Sequence, residues 1–148
     1  MNEALRLLTD AGRSMRALQD AEASRAAALE QAFPQSGMAG GGGQGGGGSS
    51  KTERTAIKLA DMDARIDRLR RQRDSLVRKT ERMLSGMAVE RYARLLRMRY
   101  LDEASWPTIM QALGYREIRS VYRAHRRALE AAAQTLQKEK ARKLQASG

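Results

Sequence analysis

A glycine-rich stretch divides the chain and limits the folds that the remainder can adopt. Residues 34–50 read PQSGMAGGGGQGGGGSS. Glycine and serine at this density form a flexible coil, because glycine has the most backbone freedom to lose on ordering. The segments on either side therefore cannot belong to one continuous helix. We predict an N-terminal helix within 1–33, a flexible linker over 34–51 and a basic helix over 52–84.

Both flanking segments have the periodicity of amphipathic helices. In the second, the 3–4 spacing persists for more than three heptads, which is typical of a coiled coil, although two polar members weaken its far end. Phe33-Pro34 ends the first, since a residue before proline is disfavoured in the helical region. The stripes are Ala4, Leu8, Ala11, Met15 and Leu18 in the first segment, and Leu59, Met62, Ile66, Leu69, Arg73, Leu76, Thr80 and Met83 in the second.

These two segments can pair in two ways. The long linker would let them fold back as an antiparallel hairpin within one chain, or it would allow a coiled coil between subunits and thus a homodimer. Aromatic residues make up 4% of the chain and no alternating strand pattern occurs. The predicted fold class is therefore all-α, a long helical hairpin or coiled coil followed by a C-terminal helix-turn-helix.

The C-terminal part, residues 87–137, is predicted to contain three further helices. Ser85-Gly86 ends the second helix, and residues 87–101 form the third, with one apolar face. Ser105 is a good N-cap for a fourth helix over 105–113, Pro107 suits its first turn, and Gly114 suits a left-handed end. A fifth helix runs from about 117 to 137, and residues 138–148 form a basic tail expected to fray. The apolar face of the third helix is formed by Val89, Tyr92, Leu95, Leu96 and Tyr100.

Helical periodicity separates a packed face from an arginine face in the fifth helix. A helix, a short turn containing glycine and a second helix form the helix-turn-helix plan, whose second helix presents side chains to DNA. The packed face is predicted to be Ile118, Val121, Tyr122, His125 and Leu129, against Trp106, Ile109, Met110 and Leu113 of the fourth helix. The predicted DNA-binding residues are Arg116, Arg119, Ser120, Arg123 and Arg127.

The positive charge favours a polyanionic partner. The formal net charge is +11, of which residues 51–86 carry +5 and residues 87–148 carry +7. Double-stranded DNA and an anionic membrane surface both fit such a charge. No apolar stretch of about 18 residues suggests a membrane span, and the N-terminus does not resemble a signal peptide, so a cytoplasmic protein is expected.

The residue types in the chain do not favour a catalytic site or a metal site. The chain has no cysteine and a single histidine, His125, which lies on the packed face without a second ligand or a nucleophile near it in sequence. We therefore expect His125 to be a buried, hydrogen-bonded core residue and Trp106 to fill the angle between helices. No carboxylate pair is placed for acid–base work. No enzyme activity, metal or cofactor is predicted.

The segment RYLDEASWPTIMQALGYREIRSVYRAHRRAL resembles the C-terminal part of phage transcriptional regulators of the RinA/ArpU type, which is similar to region four of sigma factors. The matching residues lie between Arg99 and Leu129. The segment departs from the pattern at Met110, where a small residue is expected, and between Tyr115 and Val121, where one extra residue occurs. The resemblance implies a DNA-binding regulator of late transcription in the cytoplasm of a bacterial host, with RNA polymerase as a candidate second partner.

Two alternatives remain open at this stage. Small terminase subunits, which select DNA for packaging, also combine a helix-turn-helix with oligomerising helices, and a ring of eight or more subunits would favour that role. A coiled-coil scaffold with arginines that only solvate the surface would not bind nucleic acid at physiological salt.

Overall fold

The computed structural model describes residues 2–33 and 48–147. Within these ranges the chain is helical apart from short connections, and it contains no strand, as the sequence predicts. None of the described helices combines the length and apolar character needed to cross a membrane. The helices are α1 (Glu3–Ala32), α2 (Gly48–Ser85), α3 (Glu90–Leu96), α4 (Trp106–Leu113) and α5 (Ile118–Ser147), and a π-helical turn (Arg97–Leu101) directly follows α3.

Two segments expected to be irregular contain helix. Helix α2 begins at Gly48, so the end of the predicted 34–51 linker is helical, while residues 34–47 lie outside the described part. Helix α5 continues to Ser147, so the described part of the predicted basic tail, residues 138–147, is helical. Nine of the eleven residues of the 138–148 segment are lysine, alanine, glutamate, arginine, leucine or glutamine, which are strong helix formers. Lys140 also forms an ion pair with Glu3 of α1.

The third helix begins later than predicted. Val89 has an extended backbone and precedes the first helical residue, and its side chain is 45% exposed. Leu95 and Leu96 are buried as predicted, and Ala93 is buried as well. After Leu96 the helix widens into the π-helical turn, where the Asp102 N–H donates to the Arg97 carbonyl at 3.1 Å. Widening adds a residue to the turn and so changes which side chains face the core, a shift that regular 3.6-residue periodicity does not anticipate.

Contacts divide the chain into two compact units. One comprises Met1–Met15 with Arg73–Gly148, and the other comprises Arg16–Gln72. In the second unit, α1 and α2 are connected by ion pairs between Arg25 and Asp63 and between Arg70 and Glu22.

The predicted stripes of α1 and α2 are the less exposed sides of these helices. Four of the five α1 stripe residues are buried, and Met15 is half-buried. On α2, Ile66, Thr80 and Met83 are buried and the other five stripe residues are half-buried. Thr80 tolerates complete burial because its hydroxyl donates to the Leu76 carbonyl at 2.8 Å.

The first unit contains a core in which α5 contributes small side chains and the other helices contribute mostly leucine, isoleucine and methionine. Helix α5 contributes Val121 and three alanines, and helix α1 enters through Ala4 and Leu8. Asn2 fixes the start of α1: its side-chain oxygen accepts the Ala4 N–H at 2.7 Å, and its amide nitrogen donates to the Leu129 carbonyl of α5 at 3.0 Å. The buried core residues are Ala4, Leu8, Met83, Leu84, Met87, Ala93, Leu95, Leu96, Ile109, Leu113, Val121, Ala124, Ala128 and Ala132.

Both ends of α4 are capped as the sequence predicts. The Ser105 hydroxyl accepts the Thr108 N–H at 3.2 Å, and Pro107 lies in the first turn, where a missing N–H leaves no bond unmade. Gly114 has a φ of 76°. The Gly114 N–H donates to the Gln111 carbonyl at 3.3 Å and the Tyr115 N–H to the Met110 carbonyl at 2.9 Å, which is the bond pattern of a Schellman motif.

Replacing Gly114 tests this turn. Gly114→Ala is expected to lower the free energy of unfolding by about 1 kcal/mol, because an L-residue in the left-handed region brings Cβ close to its own carbonyl. A Cβ at this position would meet only Arg91 Nη2, at 4.0 Å, so backbone strain rather than a clash is the cause. Gly114→Asn should lower the free energy of unfolding less than Gly114→Ala, since asparagine tolerates the left-handed conformation better. Urea denaturation measures both; equal stability of Gly114→Ala and wild type would contradict the prediction.

Candidate nucleic-acid interface

The residues predicted to bind DNA lie in the turn before α5 and along the first part of that helix. Arg119, Arg123 and Arg127 are exposed residues of α5. Arg116 is also exposed but precedes the first helical residue, so helical periodicity does not place it on the same face. Ser120 is half-buried, and its N–H donates to the Glu117 carbonyl at 3.1 Å.

The outward face of α5 contains two of the predicted residues, Arg119 and Arg123, and one further arginine, Arg126. Residues three, four and seven apart lie on one side of a helix, so Arg119, Arg123 and Arg126 form a single exposed row. Arg127 lies at the edge of this row, and Ser120 turns towards the packed side. The sequence interpretation missed Arg126, although its spacing from Arg119 and Arg123 was the signal that could have found it. We call Arg119, Arg123 and Arg126 the arginine row.

The packed face of α5 differs from the predicted one. Its centre is an alanine seam formed by Ala124, Ala128 and Ala132, which are buried together with Val121. Tyr122, predicted to be packed, is 46% exposed. The sequence interpretation favoured large apolar residues and overlooked alanines, although small residues allow helices to approach most closely. The predicted residues Ile118, His125 and Leu129 flank the seam and are half-buried.

An aromatic cluster supports the start of α5. The hydroxyl of Tyr100, in the π-helical turn, is hydrogen-bonded to His125 Nε2 at 2.8 Å. The rings of Trp106 and His125 meet edge-on with centroids 4.9 Å apart, and the Trp106 and Tyr122 rings meet in the same way at 5.5 Å. The Arg99 guanidinium lies 4.1 Å from the Trp106 ring centroid. His125 is therefore hydrogen-bonded, as predicted, but it is half-buried rather than buried.

This cluster favours uncharged forms of its two titratable rings. Burial lowers the pKa of His125, and the positive charge of Arg99 lowers it further. Burial also raises the pKa of the Tyr100 phenol, with Arg99 acting in the opposite direction. Both rings are consequently neutral near pH 7, so the hydrogen bond between them joins two neutral groups. The cluster serves as a scaffold for α4 and α5.

Several arginines outside α5 are engaged within the protein. Arg91 donates from Nη2 to the Leu113 carbonyl at 2.6 Å, and its guanidinium lies 3.9 Å from the Tyr115 ring centroid. Arg91 therefore holds both the end of α4 and the turn that follows it. A guanidinium bonded in this way satisfies a carbonyl that the helix leaves without an internal partner.

Arg97 and Arg99 make comparable contacts from the π-helical turn. Arg97 forms a two-bond contact with Glu81 of α2, at 2.6 and 3.2 Å, and this hydrogen bonding raises the pKa of Arg97. Arg99 donates to the Ala104 carbonyl at 3.1 Å. Within residues 2–33 and 48–147, no hydrogen bond or ion pair engages the side chains of the arginine row. The fold thus separates arginines that bind protein acceptors from arginines that face outward.

Comparison with protein-family models, with curated proteins and with solved structures finds no match to the chain. The described residues include no group of three or more histidine, aspartate or glutamate side chains that could hold a metal ion. The arginine row, together with Arg116 and Arg127, exposes guanidinium groups that bind no acceptor within the described residues.

Removal of Arg91 tests its role in holding the turn. Arg91→Met keeps most of the aliphatic length but loses the hydrogen bond and the cation–π contact, so the free energy of unfolding should fall by about 1–2 kcal/mol. Arg94→Met is the matched control, an exposed arginine of the same helix. Thermal or urea denaturation compares the two; equal losses for both variants would show that the Arg91 contacts contribute nothing specific.

The lowered pKa of His125 predicts an acid-dependent loss of stability. The fold favours the neutral ring, so the unfolded chain takes up a proton first as the pH falls. The free energy of unfolding should therefore decrease as the pH falls below about 6.5, the ordinary histidine value, and should level off once the folded ring is also protonated. His125→Gln removes this titration, so its stability should change less between about pH 7 and 5. If the free energy of unfolding depends on pH in the same way for wild type and His125→Gln, His125 is not the cause of the acid-dependent loss.

Proposed function

We propose that this chain is a sequence-specific binding protein for double-stranded DNA, in which α4, the turn at Gly114 and α5 act as a helix-turn-helix. The arginine row carries the proposal, because it exposes a repeated guanidinium without a protein acceptor at the start of a rigidly packed helix. The major groove is wide enough to admit an α-helix. In this arrangement the first turns of α5 lie in the groove and Arg116 approaches a phosphate at its edge.

The chemistry of arginine suits this role. A guanidinium can donate two parallel hydrogen bonds to guanine O6 and N7 or to a phosphate, which lysine cannot match geometrically. The capped ends of α4 and the aromatic cluster fix the start of α5, so the arginine row is presented from a rigid support. Phosphate contacts supply affinity and base contacts supply sequence preference, and an arginine row can provide both.

The long helices are proposed to form an antiparallel hairpin within one chain. The ion pairs of the second unit support this, because Glu22 pairs with Arg70 while the later residue Arg25 pairs with the earlier Asp63. Residue numbers therefore rise on α1 as they fall on α2. A coiled coil between subunits would instead produce a homodimer, and measurement of the mass in solution distinguishes the two arrangements.

The biological role is proposed from the resemblance of residues 99–129 to phage regulators of the RinA/ArpU type. On this basis the protein is a transcriptional regulator of phage or prophage origin that works in the bacterial cytoplasm by binding rather than by catalysis, with RNA polymerase as a second partner. A ring of eight or more subunits would favour a packaging role for the same DNA-binding residues.

The decisive experiment is selection of bound duplexes from a random library, followed by binding of the selected site to variants. Arg123→Ala should weaken binding of the selected site by about 1–3 kcal/mol if Arg123 reads a base. Arg123→Lys keeps the charge but loses the paired hydrogen bonds, so it should recover binding to unselected DNA more fully than binding to the selected site. Fluorescence anisotropy with both duplexes measures the difference.

Arg142→Ala provides the matched control, since Arg142 is an exposed arginine near the far end of α5. It should change binding of the selected site less than Arg123→Ala does. Binding should also fall log-linearly with salt concentration, because each neutralised phosphate releases counterions. Failure to enrich any sequence, together with no binding at physiological salt, would favour a scaffold and contradict the proposal.

A further inference from the structure

A second candidate site lies in the first unit, along the other half of α5. There, α1, α2 and α5 enclose a groove with a volume of about 300 Å³. Its lining combines basic, acidic and apolar side chains, and none of them belongs to the arginine row. The lining residues are Glu3, Leu7, Lys79, Arg82, Leu136, Glu139, Lys140 and Lys143.

The groove has an excess of positive charge above an apolar floor. Leu7 and Leu136 are half-buried and pack against the core. Four basic side chains line the groove against two carboxylates, and one carboxylate, Glu3, is already paired with Lys140. This leaves three cations facing one acid.

The three remaining cations are available to a ligand. Lys79 and Arg82 come from α2 and Lys143 comes from α5, so they approach the groove from two helices. All three are exposed, and in the described part of the chain none has an ion-pair partner. A negatively charged ligand would therefore meet cations on both walls.

This groove is separate from the arginine row. With about 1.5 Å of rise per residue, Lys143 lies roughly 30 Å along α5 from Arg123. With about 100° of rotation per residue, the lining residues of α5 face roughly 120° away from the arginine row. A ligand lying against one face of α5 does not contact the other directly, so the groove does not extend the proposed DNA-binding face.

We propose that this groove binds an acidic peptide segment that carries a bulky aliphatic side chain. Carboxylates on both sides of such a side chain match the cationic walls, while the aliphatic group covers Leu7 and Leu136. A nucleic-acid backbone matches the charge, but it offers no aliphatic group to the floor. This combination of walls and floor favours a protein partner at this end of the molecule.

Labelled peptides of defined composition test the proposal on the full chain. The probe is a panel of fluorescein-labelled twelve-residue peptides in which one leucine, isoleucine or methionine is flanked by aspartate and glutamate. The reference peptides are polyglutamate of the same length and the panel with alanine at the aliphatic position. We expect at least one aliphatic peptide to bind about tenfold more tightly than both references, as burial of one such side chain allows.

Two matched double variants then locate the binding site. Lys79→Gln with Lys143→Gln removes a cation from each wall, and Lys138→Gln with Arg142→Gln removes two exposed cations of α5 outside the lining. The first pair should weaken binding of the best peptide by about tenfold and the second by less than about twofold, since only contacts at the site are lost. Circular dichroism checks that both variants are folded.

Three results would overturn the proposal. Aliphatic peptides that bind no better than polyglutamate would show attraction by charge alone. Equal losses for the two double variants would place the binding elsewhere. If the first pair lost duplex DNA binding while peptide binding was unchanged, the groove would be a nucleic-acid contact. Peptide binding is measured without DNA, so its result can be interpreted even if the protein does not bind DNA.

Discussion

Close approach through small side chains is the constraint on which the rest of the first unit depends. Ala124, Ala128 and Ala132 are the points at which α5 enters the core. A Cβ added to Gly86, just after α2, would lie 3.1 Å from the Thr135 Cγ2 on α5, so the backbone there is already near its closest approach. Larger residues along this seam would force the helices apart. They would also alter the direction in which the opposite face of α5 projects.

The features that sequence predicted well are those set by neighbouring residues. Ser105 and Gly114 mark the ends of α4 because capping needs only a hydroxyl or a left-handed residue at the right position. The end of α2 at Ser85 follows from local sequence in the same way. The long stripes of α1 and α2 were predictable because apolar residues recur at three- and four-residue spacing over several turns.

The features that sequence missed depend on distant residues. The π-helical turn forms where α3 meets α4 and α5, and no spacing in the sequence marks it. Helical periodicity predicts Tyr122 on the packed face, whereas Tyr122 is exposed and alanines occupy the seam. Sequence also treated all arginines alike, although Arg91 and Arg97 are tied to Leu113 and Glu81 by the tertiary fold. Sequence therefore predicted exposed arginines along α5, but not which arginines elsewhere bind acceptors within the protein.

The contrast between the two faces of α5 has an entropic consequence. Alanine has no side-chain rotamers to lose, so the seam orders α5 without a side-chain entropy cost. Each arginine on the opposite face retains its rotameric freedom in the folded protein and gives up roughly 1.5–2 kcal/mol when a ligand immobilises it. The side-chain entropy of these arginines is therefore retained on folding and would be lost only when a ligand ordered them. A ligand that bound this face would have to offset that cost through its own contacts, whereas the alanine seam imposes no comparable cost on folding.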